Sequence, residues 1–178
     1  NQIIMPCSQT LAGLIHDCAA SMGGIVAAYI APAEDVTAKT LTSGVISALT
    51  MATGKHFYKY TFPRNTGSLS SNATIDETTG ANFWVSDLVL VFPKMETTKR
   101  VEIMALAQSG LVVVVVDANG KQWLLGYDAP VKASAGDGLT GTARADRNGY
   151  SITLQDNSLE LPFEVSADME ALLPTVSQ

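Results

Sequence analysis

A run of six apolar residues at positions 111–116, one leucine and five valines, is the feature that most constrains the fold of this chain. Valine favours extended strands, and a run without a polar position cannot turn one face to water. Asn119-Gly120 follows the run and is the dipeptide most typical of a tight hairpin turn, and residues 122–127 supply the returning strand. We therefore predict a sheet that buries these strands on both faces, or offers some of them to another copy of the chain.

Strand patterns recur on both sides of this hairpin. Apolar periodicity bounded by turn residues predicts strands at 25–31, 44–49, 55–62, 84–92, 151–154 and 161–165. In the third of these, Tyr58, Tyr60 and Phe62 share one face. Residues 33–42 are small and polar and are predicted to form a loop. The small-residue stretch 133–142 is assigned no strand.

Helical patterns occupy three places. Ser8 can cap a helix over residues 9–20, and residues 169–173 can add a helical turn before a frayed end. The helix predicted over residues 95–108 is apolar on two sides, with Val101 and Met104 on one of them. A helix of this kind needs cover on both sides, and loops of the same chain and a neighbouring subunit are equal candidates for the second cover.

Residues 64–80 are rich in serine, threonine, asparagine and glycine, yet residues 68–75 alternate as a strand does. We predict an extended hairpin arm or a long loop here. The segment has too few large apolar residues to bury a core of its own, so it either stays mobile or docks on a neighbour. Its strand-like composition favours docking.

The length of the chain and its strand and helix patterns predict one domain of the α+β class, mostly β, over residues 1–178, with one packed central helix and the extended arm. An N-terminal helical segment (1–22) precedes the β-rich body (23–165), and a C-terminal tail (166–178) follows. The 17 acidic and 11 basic side chains give a net charge of −6, which argues against tight nucleic-acid binding. No apolar run has membrane-spanning length, and no basic region marks a signal peptide. Cys7 and Cys18 are expected to be reduced thiols.

No residue pattern points to catalysis, a cofactor or a metal, and we predict that the chain is not an enzyme. His16, Asp17 and Cys18 are adjacent, but neighbours along a helix point in different directions, and a Cys–His pair must meet in space. His56 has no further ligands near it in sequence, whereas a metal site needs three or four. The turn-like sequences 117–120 and 136–138 lack the rest of a calcium loop.

Charges of both signs are concentrated in residues 144–150, where Arg144, Asp146 and Arg147 precede a predicted strand. Arginine and aspartate side chains can form bidentate pairs, either within the fold or across a subunit boundary. This cluster is the best candidate in the sequence for an ion pair between subunits.

The order of these segments resembles a known class of proteins. It runs from Gly23-Gly24-Ile25 through Gly54-Lys55-His56-Phe57-Tyr58, the polar arm, residues 84–93, the helix, the valine hairpin and residues 146–150. This series, over residues 23–165, resembles virion structural proteins of bacteriophages and prophages of Bacteroides-type bacteria, including crAss-like phages. Two sheets with a helix between them and a long arm are also similar to the tail-tube fold.

The resemblance implies a β-sandwich or barrel subunit of the virion, tail-tube-like in fold and made in the host bacterial cytoplasm. It would form a ring, commonly of six copies, in the tail or neck. The partners would be other copies, other tail or neck proteins, and DNA that passes through without specific binding. An acidic lumen would suit that passage. The arm, the helix and the charged cluster supply the candidate subunit interface: Thr66, Leu69, Ile75, Val101, Met104, Arg144, Asp146 and Arg147.

Two other functions remain open at this point. One is a different virion part, such as a capsid decoration or a tail-completion ring. The other is a soluble carbohydrate- or peptide-binding module, for which Tyr58, Tyr60, Trp84 and Trp123 would form a stacking platform.

Overall fold

The computed structural model describes residues 11–175. These form eleven strands: β1 (Ile25–Pro32), β2 (Val36–Thr42), β3 (Val45–Met51), β4 (Tyr58–Thr61), β5 (Ser68–Asp76), β6 (Ala81–Pro93), β7 (Leu111–Asp117), β8 (Gln122–Leu125), β9 (Lys132–Leu139), β10 (Gly149–Ser158) and β11 (Phe163–Val165). One α-helix, α1 (Thr97–Gln108), lies between β6 and β7, and two short 3-10 helices span Ala33–Asp35 and Glu170–Leu172. The fold is α+β and mostly β, as predicted.

The strands form two sheets. The larger has seven strands in the order β2-β3-β11-β8-β7-β1-β4, and the smaller has four in the order β5-β6-β10-β9. The pair β3–β11 is parallel, and the remaining strand pairs are antiparallel. Apolar side chains from both sheets meet in one cluster, so the sheets pack face to face as a β-sandwich.

The valine run forms β7 and lies inside the seven-stranded sheet, between β8 and β1. Val112, Val113, Val114 and Val115 are all buried, because alternate side chains enter two different cores. Val113 and Val115 face the four-stranded sheet, and Val112 and Val114 face the opposite side. The prediction that this strand is covered on both faces is confirmed within a single chain.

The core that contains Val113 and Val115, here called the inner core, fills the space between the two sheets. Leu88 and Leu90 of β6 and Ile152 and Leu154 of β10 meet the inward side chains of β1, β7 and β8, and Leu106 of α1 joins them. Fully burying one such side chain contributes about 1.5–3 kcal/mol. This cluster therefore fixes α1 on the sandwich.

The core that contains Val112 and Val114, here called the outer core, lies on the other face of the seven-stranded sheet. The C-terminal segment covers it. Phe57 and Met169 are buried there, and the Phe57 N–H donates to the Leu172 carbonyl at 3.0 Å. Glu170 accepts hydrogen bonds from Tyr29 Oη and Lys59 Nζ, both at 2.6 Å. The predicted helical turn is confirmed as Glu170–Leu172, and Met169 and Leu172 pack in the outer core. The end predicted to fray follows this turn, and residues 176–178 lie outside the described part of the chain.

Two predictions fail at strands that lie on sheet edges. Residues 36–42, predicted as loop, form β2, and the small-residue stretch, assigned no strand, contains β9. Both are edge strands of their sheets and are largely exposed. An edge strand can face water on most of its surface, so it needs few large apolar residues and lacks the pattern on which the prediction depended.

The predicted N-terminal helix is also wrong for the residues that the structure describes. Residues 11–23 have no helix or strand, and their side chains are exposed. A helix of this length is only marginally stable without a surface on which to pack, and the body of its own chain supplies none to it. Ser8, Cys7 and the first two positions of the predicted helix lie outside the described residues.

Candidate assembly surfaces

Residues 11–22, here called the N-terminal arm, expose large apolar side chains to solvent. Leu11, Leu14 and Ile15 are each at least 92% exposed. Burying them against another surface would contribute about 1.5–3 kcal/mol apiece. The arm therefore has a strong tendency to associate with an apolar partner.

The base of the N-terminal arm is attached to the turn between β7 and β8. The Met22 N–H donates to Asn119 Oδ1 at 2.8 Å, and Asn119 Nδ2 donates to Ser21 Oγ at 3.2 Å. Close by, the Ala118 N–H donates to the Gly24 carbonyl at 3.0 Å. The turn that the Asn-Gly dipeptide closes thus also sets the point at which the arm leaves the body.

The predicted arm 64–80 contains strand β5, which forms a long hairpin with β6. The pairing runs from Ser68 opposite Val89 to Asp76 opposite Ala81. Strand β10 pairs with β6 only as far as Trp84, so the end of the hairpin projects beyond the sheet as two strands. Asp76 Oδ1 accepts the N–H groups of Thr78 and Thr79, which lowers the pKa of Asp76 and holds the tip.

The three predicted interface residues of this hairpin have different surroundings. Ile75 lies at the tip and is 67% exposed. Leu69 packs against the inner core, and Thr66 Oγ1 donates to the Pro63 carbonyl at 2.6 Å at the base of the hairpin. Ile75 is therefore accessible to a partner, whereas Leu69 is engaged within its own chain.

The described residues cover only one side of helix α1. Leu106 is buried and Ile103 packs beside it, whereas Val101 is 53% and Met104 47% exposed. The Tyr60 hydroxyl donates to Glu102 Oε2 at 2.8 Å, and burial, followed by this bond, raises the pKa of Tyr60. Within residues 11–175, no loop supplies the second cover that the two-sided pattern requires.

An open groove of about 680 Å³ runs between α1 and β9. We call it the α1–β9 groove. Met104 and Ala107 of α1 form one wall, and Ala133, Gly136 and Gly138 lie along β9. A Cβ atom added at Gly136 would meet only Ser151 and Ile152 of the neighbouring strand within 4 Å and no atom of α1. The inward positions of β9 are therefore too small to fill the space beneath the helix.

Sequence reasoning missed this groove because it depended on large residues. The one available signal was the succession of alanine and glycine in residues 133–138. Small residues along an edge strand, next to a helix that is apolar on two sides, mark a place where the sandwich is left unfilled.

Asp146 and Arg147 of the charged cluster have partners outside the cluster's own side chains. Arg147 Nη2 pairs with Asp137 Oδ1 of β9 at 2.8 Å. Asp146 Oδ2 instead accepts the N–H groups of Ala143 at 2.7 Å and Thr142 at 2.8 Å, which lowers the pKa of Asp146. Arg144 is exposed and belongs to none of the ion pairs within residues 11–175. Arg144 is thus the member of the cluster left for a contact outside the chain.

Possible sites of chemistry give no converging set of side chains. His16 and Cys18 lie in the exposed N-terminal arm, where Asp17 Oδ1 accepts the Ala19 N–H at 3.1 Å and Cys18 is a free thiol. In the described part of the chain, no three His, Cys, Asp or Glu side chains are grouped as metal ligands. Across residues 11–175, no helix has both the length and the apolar character required to cross a membrane.

The four aromatic residues proposed as a stacking platform do not stack on one another. Tyr60 lies edge-on to Phe92, with ring centroids 6.2 Å apart, and Trp123 Nε1 donates to Asp117 Oδ2 at 3.1 Å. The other ring pair of the described residues joins Tyr127 to Phe163.

One buried carboxyl group was not singled out from the sequence. Asp156 of β10 is 3% exposed, and its Oδ1 has no hydrogen-bond partner among the described residues. Burial, opposed in part by a hydrogen bond from the Gly126 N–H, raises its pKa. Nearby, Asp128 Oδ2 accepts from Ser158 Oγ at 2.6 Å. Asp156 is therefore a source of pH-dependent stability within the fold.

Comparison with known proteins finds no match to this chain among protein-family models, curated proteins or solved structures. Four surfaces of the described residues are available to a partner: the N-terminal arm, the hairpin tip, the outer side of α1 and the α1–β9 groove.

Proposed function

We propose that this chain is a self-assembling structural subunit that forms rings or a tube in the tail or neck of a bacteriophage virion, as a conduit for DNA ejection. The observation that carries the proposal is the exposure of Leu11, Leu14 and Ile15 in one segment, together with the uncovered side of α1. A monomer keeps both surfaces in water, so it does not gain the favourable free energy of burying them.

These surfaces can join copies into a ring. The N-terminal arm and the outer side of α1 belong to different parts of the fold. A contact between two unlike surfaces is heterologous and passes from subunit to subunit, so it closes into a ring when the rotation allows. The projecting hairpin, with Ile75 at its tip, offers a further contact to an adjacent ring or subunit.

The assignment to a phage virion rests on the sequence resemblance and on charge. The net charge of −6 would, if it faced the lumen, keep DNA from binding as it passes. The partners are other copies of the chain and other tail or neck proteins. A capsid decoration or a tail-completion ring would use the same surfaces but would produce rings that do not stack.

The test is the mass of the purified protein by light scattering over a concentration series, with negative-stain images of the same samples. Rings or stacked rings with a central hole are expected as the concentration rises. A protein that stays monomeric at the highest concentration would contradict self-assembly. Single rings that never stack would favour the neck or tail-completion position over a tube.

A further inference from the structure

The N-terminal arm carries a helical pattern that the single chain does not use. Its larger side chains, including the one thiol in the arm, recur at intervals of three and four residues: Leu11, Leu14, Ile15, Cys18 and Met22. On a helix they would form one apolar stripe about 100° wide, with His16 and Asp17 on the opposite side. The segment is therefore patterned for a surface helix although it is extended in the structure.

The absence of a helix in residues 11–20 follows from the lack of a surface. Helix formation begins with an unfavourable first turn, and a helix of about ten residues is marginal in water without tertiary packing. In the structure the apolar side chains of the arm face solvent. A suitable apolar groove would supply the missing free energy, and the arm would fold as it binds.

We propose that the N-terminal arm of one copy folds into an amphipathic helix in the α1–β9 groove of a second copy. This inference rests on the proposed self-assembly and specifies the contact by which it occurs. It accounts for two features of the single chain. The apolar side chains of the N-terminal arm are exposed, and no described side chain fills the α1–β9 groove.

The α1–β9 groove has the features of a site for a helix. Met104 and Ala107 present apolar surface along one wall. Ala133 and Gly136 of β9 lie beneath them, and a Cβ atom at Gly136 would meet only the neighbouring strand, which lets the backbone of an incoming helix approach closely there. An amphipathic helix lying in an apolar groove is a common mode of recognition, and its anchors are spaced as in this arm.

The point at which the N-terminal arm leaves the body favours the groove of another copy. The arm leaves at Ile25, where Asn119 holds its base, whereas the second half of α1 lies beside Pro32 at the other end of β1. The seven steps of β1 span about 23 Å. A helix over residues 11–20 that starts from this held base is about 15 Å long, which is less than the length of β1.

Paired substitutions on the two surfaces test this contact. Leu14→Asp with Ile15→Asp changes the arm, and Met104→Glu changes the groove. All three positions are exposed in the single chain, so the variants should fold. Leu159→Asp, at another exposed apolar position, is the matched control. Light scattering gives the dissociation constant of assembly, and far-ultraviolet circular dichroism follows helix content over the same concentrations.

We expect the wild type and the control to assemble with a gain of helical signal equal to about ten residues. The arm variant and the groove variant should each raise the dissociation constant by at least about 100-fold, since each loses buried apolar contacts and gains a charge. Both should also lose the helical gain.

The outcomes separate this inference from the function on which it rests. If the wild type assembles and both variants assemble as it does, the arm-in-groove contact is wrong and self-assembly stands. Assembly without a helical gain would likewise contradict folding of the arm. A wild type that remains monomeric at every concentration would overturn both.

A covalent measurement adds a direct readout. Cys18 lies on the predicted apolar stripe, so a Met104→Cys variant in a Cys7→Ser background should form disulfide-linked oligomers with oxidised glutathione. Each linkage oxidises two thiols and reduces one glutathione disulfide to two thiols. A Leu159→Cys variant in the same background should remain monomeric on a non-reducing gel. Equal crosslinking in both variants would contradict the proposed contact.

Discussion

Strand β7 and the N-terminal arm are both strongly apolar, yet their side chains have opposite surroundings. The valines of β7 are buried on both faces by residues of their own chain, whereas Leu11, Leu14 and Ile15 of the arm are almost fully exposed. The difference lies in the neighbours. Strand β7 is followed by a tight turn that returns a partner strand at once, whereas none of residues 23–175 folds back over the N-terminal arm. An apolar sequence thus indicates that cover is needed, but not which molecule supplies it.

The comparison is tested most strongly by the same substitution in the two regions. Leu124→Ala, in the strand that returns beside β7, removes a fully buried side chain and should lower the free energy of unfolding by about 2–5 kcal/mol. Leu14→Ala in the arm should change it by less than about 0.5 kcal/mol in the monomer. Urea unfolding of dilute protein measures both. Equal losses would show that the arm is packed within its own chain.

The two ends of the described chain should differ in a similar way. Met169, near the C-terminal end, is buried against the outer core, so Met169→Ala should cost about 2–4 kcal/mol. Met22→Ala at the base of the arm, where the residue is bonded through its backbone, is the matched control and should cost less than about 0.5 kcal/mol. Thermal unfolding compares them. A loss at Met169 as small as that at Met22 would mean that the C-terminal segment does not help to hold the outer core.

The buried carboxyl group of Asp156 shows that burial by the same chain can also reduce stability. The pKa of Asp156 is raised in the folded state, so its ionisation costs stability. The cost is absent below the pKa of the unfolded state, near 3.9, and develops as the pH rises through the raised folded value. Asp156→Asn should therefore stabilise the protein by about 1 kcal/mol at pH 7 and have little effect near pH 3. An advantage that is independent of pH would contradict this origin.

The smallest effect on the single chain is expected at the hairpin tip. Ile75→Ser should change the unfolding free energy by no more than about 0.5 kcal/mol, because the side chain is already in water. It should nevertheless weaken stacking of rings, which sedimentation of concentrated protein would detect. Thr74→Ser, also in exposed β5, is the control. Unchanged stacking would remove the tip from the proposed interface.

Much of the sandwich could be predicted from strands whose partners are close in sequence. The valine run, its Asn-Gly turn and α1 were all predicted because burial imposes a pattern on the residues themselves. Strands β2 and β9 were missed because an edge strand carries no such pattern. The helix predicted for residues 9–20 was wrong within the described residues because a capping residue such as Ser8 marks only where a helix can begin, and a short helix also needs a surface on which to pack.

The candidate surfaces were predicted in part. The two-sided pattern of α1 indicated that Val101 and Met104 would need a second cover, and both are exposed in the single chain. The groove beside them could not be predicted, since its walls meet only after β9 and α1 have been placed. The role of Asp146 was also missed, because a carboxylate that closes a turn and one that pairs with arginine look alike in sequence.

The attachment of Ser21 and Met22 to Asn119 has a geometric consequence for any assembly joined by the arm. A tether that left the body loosely would allow neighbours to meet at many angles and would give chains of mixed length. Here the exit direction is set by hydrogen bonds to a rigid hairpin turn, and only a few residues separate that point from the segment that docks. The angle between successive subunits is then narrowly defined, and a fixed angle repeated around a circle determines how many subunits close it.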